Sequence, residues 1–266
     1  MKIFYFVSIL FFAITSCNNS NAVETNDSST STQNTSAVKP QFEVIKQYPH
    51  NTSSFTEGLE YIDSIMYEST GQFGQSKLAK VDLKTGQDLL KIDIDKKYFG
   101  EGITTINNKL FMVTYQTEKG FVFHAKTFKK LSEFSYKGEG WGMTNDGKQI
   151  IMSNGTNNLS YRNATTFAEE TVKAIFDENG PVGNINELEY VDGCIYANIW
   201  QTNYIVKIDP KQGKVIAKYD LTSIVNQYIT NSPNADVLNG IAYNKKSKTF
   251  YITGKNWPLL FEIKFN

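Results

Sequence analysis

Cysteine is almost missing from this chain of 266 residues, which holds only Cys17 and Cys194. If Cys17 belongs to a processed leader, one thiol remains, so no intrachain disulfide is expected and packing alone must hold the fold. Histidine is as scarce: His50 and His124 stand far apart, with no HExxH, no CxxC and no Asp-rich calcium loop. Both histidines read as structural, and no metal or other cofactor is expected. Neither sign of charge is in excess, with Lys+Arg and Asp+Glu both at 27. A nucleic-acid partner is therefore not expected, since nothing would neutralise a phosphate backbone. No GxSxG elbow marks a serine nucleophile. GQFGQSK at 71–77 lacks the spacing and the following helix of a phosphate loop and reads as a loop over the face that carries the site.

The chain also lacks a hydrophobic run long enough to span a bilayer. Its longest, from Ile3 to Ile14 after a single charge at Lys2, has the length of an export signal. It ends in Ile14, Thr15, Ser16 and Cys17, which resembles a bacterial lipobox, so residues 1–17 are expected to be a lipoprotein signal peptide with Cys17 lipidated. Residues 18–40 are Asn, Ser, Thr and small residues with too little apolar surface to fold, and read as a tether. The expected location is exported and lipid-anchored to the cell envelope of a bacterium. Membrane contact would be through that anchor only.

From residue 41 the composition turns aromatic and β-branched, enough for one all-β domain over 41–266. One phrase recurs in it: EGLEY from Glu57, EGITT from Glu101, EGWGM from Glu139, NELEY from Asn186 and NGIAY from Asn239. Each is followed by a turn and a second apolar run, at spacings that suit four-stranded propeller blades. Five repeats predict a five-bladed β-propeller. The fifth repeat stops one strand short at LLFEIKFN, and FEVIKQYP at 42–49 resembles the missing strand, so the N-terminal strand is expected to complete the last blade and close the ring.

In each hairpin the start of the first strand lies beside the end of the second. That sets Glu57, Glu101, Glu139, Asn186 and Asn239 in one ring. Thr70, Tyr115, Asn154, Trp200 and Lys255, aligned less securely, form a second. Carboxylates, amides, a lysine and aromatics at one channel mouth make a candidate pocket. The competing reading is that each Glu or Asn only satisfies backbone N–H groups at a strand start.

SFTEGLEY, YFGEGIT, GEGWGM, NELEYVDGCIYANIWQT, LNGIAY and TGKNWP together resemble the plant and bacterial glutaminyl cyclases, in order from about residue 50 to 265. The resemblance implies a five-bladed propeller that closes the N-terminal glutamine of peptides or proteins into pyroglutamate with loss of ammonia, without a metal; separately, the chain is expected to act as a monomer. It places the essential acid on Glu101 and pocket residues on Phe55, Trp141, Asn186, Trp200 and Lys255. Two positions depart from the family pattern: Glu57 stands for a glutamine and Tyr115 for a tryptophan.

The chemistry asks for a carboxylate that takes a proton from the α-amine and returns it to the leaving nitrogen. Glu101 is expected in that role, its pKa lifted by aromatic burial and by Glu57 and Glu139. Trp141, Asn186 or Lys255 could donate to the oxyanion. Phe55, Tyr115 and Trp200 are expected as walls around the glutamine, with Glu57 beside them in the substrate site. A non-catalytic propeller that binds peptides or glycans and a metal-dependent lactonase are the alternatives.

Overall fold

The computed structural model describes residues 42–266; the expected signal peptide with Cys17 and the expected tether lie outside the described residues. Strand β1 (Phe42–Pro49) opens the described chain. Blade one is β2 (Thr56–Ile62), β3 (Ile65–Thr70), β4 (Lys77–Val81) and β5 (Asp88–Asp93). Blade two is β6 (Gly100–Ile106), β7 (Lys109–Thr114), β8 (Lys119–His124) and β9 (Lys130–Ser135). Blade three is β10 (Met143–Asn145), β11 (Gln149–Met152), β12 (Asn158–Asn163) and β13 (Glu169–Ala174).

The fourth sheet departs from the expected four strands. A small hairpin, β14 (Phe176–Asp177) and β15 (Gly180–Pro181), adds to the outside of β16 (Ile185–Val191), β17 (Cys194–Ile199), β18 (Tyr204–Asp209) and β19 (Lys214–Asp220), and β14 runs parallel to β19. Two short helical segments, Thr222–Ile224 and Val225–Ile229, lie between this blade and the last, which explains the longest repeat spacing. The last sheet holds β20 (Leu238–Asn244), β21 (Thr249–Gly254) and β22 (Leu259–Phe265). Beyond β22 lies β1, antiparallel to it from Phe42 opposite Phe265 to Pro49 opposite Leu259.

Alternation with a period of two gives each blade two apolar faces, one for each neighbour. The buried apolar side chains accordingly divide into five clusters, one at every blade–blade interface. Leu78, Ile103 and Met112 join blades one and two, and Phe111, Met143 and Ile150 join two and three. Ile151, Ile195 and Val206 join three and four, Tyr196, Ile241 and Ile252 join four and five, and Leu59, Met66 and Ala242 join five and one. Second strands are buried almost throughout, whereas outer strands such as β5 and β9 face water.

The inner strands carry the feature that builds the site. Register shifts interrupt the pairing between Thr56 and Gly58, Gly100 and Ile103, Ile185 and Leu188, and Leu238 and Ile241. Such bulges re-aim a side chain, and here they set Glu57, Glu101, Asn186 and Asn239 at equivalent positions. In blade three the irregular pair is Trp141 and Gly142: Trp141 N–H donates to the Ser153 carbonyl and Ser153 N–H to that of Gly142. The residue equivalent to Glu57 in blade three is thus Trp141. Glu139 lies two residues earlier, on the incoming loop, which corrects the alignment of EGWGM.

The residue after each of these is Gly58, Gly102, Gly142, Glu187 or Gly240. Glycine is required at Gly142, where a Cβ would stand 2.1 Å from the Asn186 carbonyl oxygen and 2.6 Å from Glu187 Cα. Blades three and four approach that closely at the axis. Glu187 breaks the glycine pattern because its fully buried carboxylate spans the channel, accepting from Leu59 N–H at 3.2 Å and Ile241 N–H at 2.8 Å. Burial first, then the charge of Glu189, hold the Glu187 carboxyl well above the usual range.

Candidate active site

At the mouth of the channel above the bulges lies a cavity of about 290 Å³. Its walls are Phe55, Glu57, Phe99, Glu101, Tyr115, Trp141, Asn186, Trp200, Gln201, Asp236, Val237 and Lys255. All eight residues singled out in the sequence as catalytic or substrate-binding face this one space, brought there from five blades. Such a volume lies at the small end of ligand pockets and suits one residue of a peptide.

Of the remaining members of the two expected rings, none lines it. Glu139 is half-buried on the rim. Its two carboxylate oxygens accept from Gln116 Nε2 at 2.8 Å and from the Trp141 indole at 2.9 Å. Asn239 lies underneath, with Nδ2 donating to the Thr56 carbonyl at 3.0 Å and to Glu57 Oε2 at 3.2 Å. Thr70 pairs with Thr56 and turns its hydroxyl to accept from Lys77 N–H at 3.1 Å. Gly71 is the true counterpart of Tyr115, Trp200 and Lys255: each N–H donates to the carbonyl across the hairpin, at Phe55, Phe99, Asn184 and Val237 respectively. Asn154 is spent on Thr156, whose N–H and hydroxyl it accepts.

The electrostatic centre is a carboxyl pair and a lysine, all buried. Lys255 Nζ donates to Glu57 Oε1 at 2.6 Å and stands 4.6 Å from the centre of the Phe55 ring. Burial raises Glu57 to about 7 against the pull of Lys255. Glu101, 5% exposed, is pushed well above the usual carboxylate range, first by burial, then by the charge of Glu57, with Glu139 adding to it. Lys255 works against that rise. The interaction between the two acids favours the protonated form of Glu101 and the charged form of Glu57. Lys255 therefore pairs with Glu57, and Glu101 is the acid whose protonated form is the more strongly favoured.

Aromatic rings frame these charges. Trp141 and Trp200 meet edge to face at 5.5 Å, and Phe99 meets Phe55 at 6.2 Å and Tyr115 at 5.8 Å. Asn186 is 3% exposed, and its Oδ1 has no protein partner among the described residues. A buried acceptor left open in a cavity wall favours a ligand that brings an N–H.

Sequence reasoning missed Phe99, Gln201, Asp236 and Val237. Phe99 and Val237 are the cross-strand partners of Tyr115 and Lys255, so the hairpin pairing that located the second ring carried the signal for them. Gln201 and Asp236 are exposed loop residues with no periodic signal. A larger cavity of about 480 Å³ at the far ends of the same inner strands, walled in part by Glu60, Thr105, Asn145 and Glu189, holds none of the expected residues.

A profile of the glutamine cyclotransferase family matches residues 11–265. The glutaminyl-peptide cyclotransferase of Arabidopsis thaliana is 37% identical over 228 residues, spanning 84% of this chain and 71% of its own length. The crystal structure of Myxococcus xanthus glutaminyl cyclase superposes with a TM-score of 0.79 at 32% identity, over 86% of this chain and 97% of that one.

Proposed function

This chain belongs to the glutamine cyclotransferase family, and from that premise we propose how its cavity turns the N-terminal glutamine of a peptide or protein into pyroglutamate: Glu101 moves the proton, and no metal is used. One observation carries the reading. An acid whose pKa is raised lies beside a Glu57–Lys255 pair in a small aromatic-walled cavity.

The neutral α-amine attacks its own side-chain carbonyl carbon, forming the ring C–N bond, and its surplus proton passes to the Glu101 carboxylate. When the bond from that carbon to the carboxamide nitrogen breaks, Glu101 returns the proton to the departing nitrogen, which leaves as ammonia. A carboxyl lifted by burial and by Glu57 is a stronger base toward the amine proton than an ordinary glutamate and keeps that proton on hand for the departing nitrogen. Because the reaction is intramolecular, holding the glutamine curled supplies much of the acceleration, with effective molarities of about 10⁵ M or more in general. Phe55, Tyr115 and Trp200 suit that role as walls, and the open Asn186 Oδ1 suits an N–H of the substrate.

The oxyanion needs a fixed donor. The Trp141 indole N–H is already given to Glu139. Lys255 has three N–H groups, of which Glu57 takes one, so, of the three expected donors, Lys255 and the Asn186 amide are the two that face the cavity without being given to Glu139.

Chelator-treated protein incubated with a Gln-initiated peptide should shift the peptide by the mass of one ammonia in mass spectrometry. Glu101→Gln should slow that release by about 100-fold or more with a melting curve near wild type. Undiminished release by the variant would remove Glu101 from its role. The lipid anchor on Cys17 and the exported location are proposals from the sequence alone. Fatty-acid labelling of the cells should mark the wild-type chain and not Cys17→Ser.

A further inference from the structure

Among the described residues, seven large apolar side chains are well exposed: Ile45, Phe73, Leu89, Leu131, Val172, Phe176 and Ile216. All but Phe73 lie on outer strands of blades, away from the channel. Phe73, 59% exposed, sits in the loop between the second and third strands of blade one. That loop borders the cavity: a Cβ on Gly71 would stand 3.0 Å from Glu57 Oε1 and still closer to the Phe99 ring.

Its position is held by the backbone. The Gln72 carbonyl accepts from Gln75 N–H at 3.1 Å, Ser76 N–H at 3.0 Å and Ser76 Oγ at 2.8 Å, while Ser76 Oγ accepts from Gly100 N–H at 2.9 Å. Gln72 adopts a φ of 79°, a conformation that costs a non-glycine residue free energy. The Phe73 ring stands edge-on to Phe99 at 5.5 Å, and Phe99 is itself a wall of the cavity. An apolar strip therefore runs from inside the pocket, over the rim and into solvent. Elsewhere the mouth carries the polar Glu139, Gln201 and Asp236 beside the half-buried rings of Tyr115, Trp141 and Trp200, and among the described residues Phe73 is the one ring there that is mostly exposed.

We propose that Phe73, backed by Phe99, is a subsite for the side chain that follows the N-terminal glutamine, and that it selects apolar and aromatic residues there. The inference rests on the function proposed above. With the glutamine seated against Glu101, Asn186 and Lys255 at the back of the cavity, the rest of the peptide leaves through the mouth. Consecutive Cα atoms are about 3.8 Å apart, which brings the second side chain to the rim. There, contact with an exposed ring removes apolar surface from water on both partners.

The test compares Gln-Phe-Ala with Gln-Ser-Ala amide. Wild type should show a kcat/KM ratio of about tenfold or more in favour of the first. The ratio should fall toward one in Phe73→Ser, through KM, and persist in Phe73→Leu. A wild-type ratio near one, or a preference that survives in Phe73→Ser, would overturn the proposal. Dissociation constants of both peptides for Glu101→Gln read the subsite without chemistry and should differ in the same direction; equal constants would also overturn it. Absence of ammonia from both peptides, with unequal dissociation constants, would sink the catalytic reading and leave the subsite standing.

Discussion

Lys255 pulls Glu57 toward its charged form against the burial that raises it to about 7, and the Glu57 charge in turn raises the pKa of Glu101. The sign of the effect makes the arrangement testable. If Glu101 must be ionised to accept the amine proton, kcat/KM rises with pH as Glu101 loses its own proton. Glu57→Gln removes the neighbouring negative charge and frees Lys255, whose charge then acts on Glu101 uncompensated. Both changes favour the ionised acid. The ascending limb of the pH profile should move to lower pH by about one unit or more relative to wild type on the same peptide. A limb that stays in place would mean that another group titrates. A limb that moves as expected would make Glu57 the residue that sets the working pH of the acid beside it. The competing reading of such residues, a carboxylate that only caps backbone N–H groups, applies to Glu187, which accepts from Leu59 and Ile241 across the channel.

Each inner strand presents its site residue through a bulge and packs its neighbour through the residue that follows. Gly142→Ala would drive a Cβ into the backbone of Asn186 and Glu187, which cannot swing aside as a side chain can. A cost of about 1–3 kcal/mol is expected, lowering the melting temperature by roughly 2–4 °C per kcal/mol at this size. Gly183→Ala, where an added Cβ meets nothing within 4 Å, should leave the melt unchanged. Equal melts for the two variants would show that blades three and four have slack at the axis. The same bulges explain what the sequence hid. The repeated phrase made the five hairpins and the propeller legible, but phrase alignment matches letters, whereas a bulge inserts a residue. EG in EGWGM therefore aligned with EG in EGLEY, although Trp141 and Gly142 occupy that place. Thr70 was one residue off, enough to turn its side chain to the other face. The alignment did set Glu187 opposite four glycines, but only the structure shows what a side chain does there. Trp141 was still found, because the family resemblance carried it independently of the register.

A ring of blades is only as firm as the joint between its ends, and in this protein His50 links them. Its Nδ1 pairs with the Trp257 carbonyl of the last blade at 2.8 Å, and its Nε2 with Glu68 of the first at 3.0 Å. Burial works against a charged imidazole, but the charge and hydrogen bond of Glu68 outweigh it and lift His50 above 6.5. Burial likewise opposes the Glu68 carboxylate, yet His50, Thr56 and Lys77 carry it below 4.5. A raised histidine contributes stability that is complete below its unfolded-state value and is lost as pH rises through its folded value. A depressed carboxylate contributes stability that is complete above its unfolded-state value and is lost as pH falls through its folded value. Both contributions are present together between pH 4.5 and 6.5. His50→Gln keeps the bulk of the side chain but cannot carry the charge. The gap in melting temperature between wild type and His50→Gln should be widest in that window and narrow on both sides, as thermal melts across pH will show. A gap independent of pH would mean that the joint is held by hydrogen bonds and packing without an ion pair. In that case the pairing of β1 with β22 and the Leu59, Met66 and Ala242 interface would bear the closure of the ring.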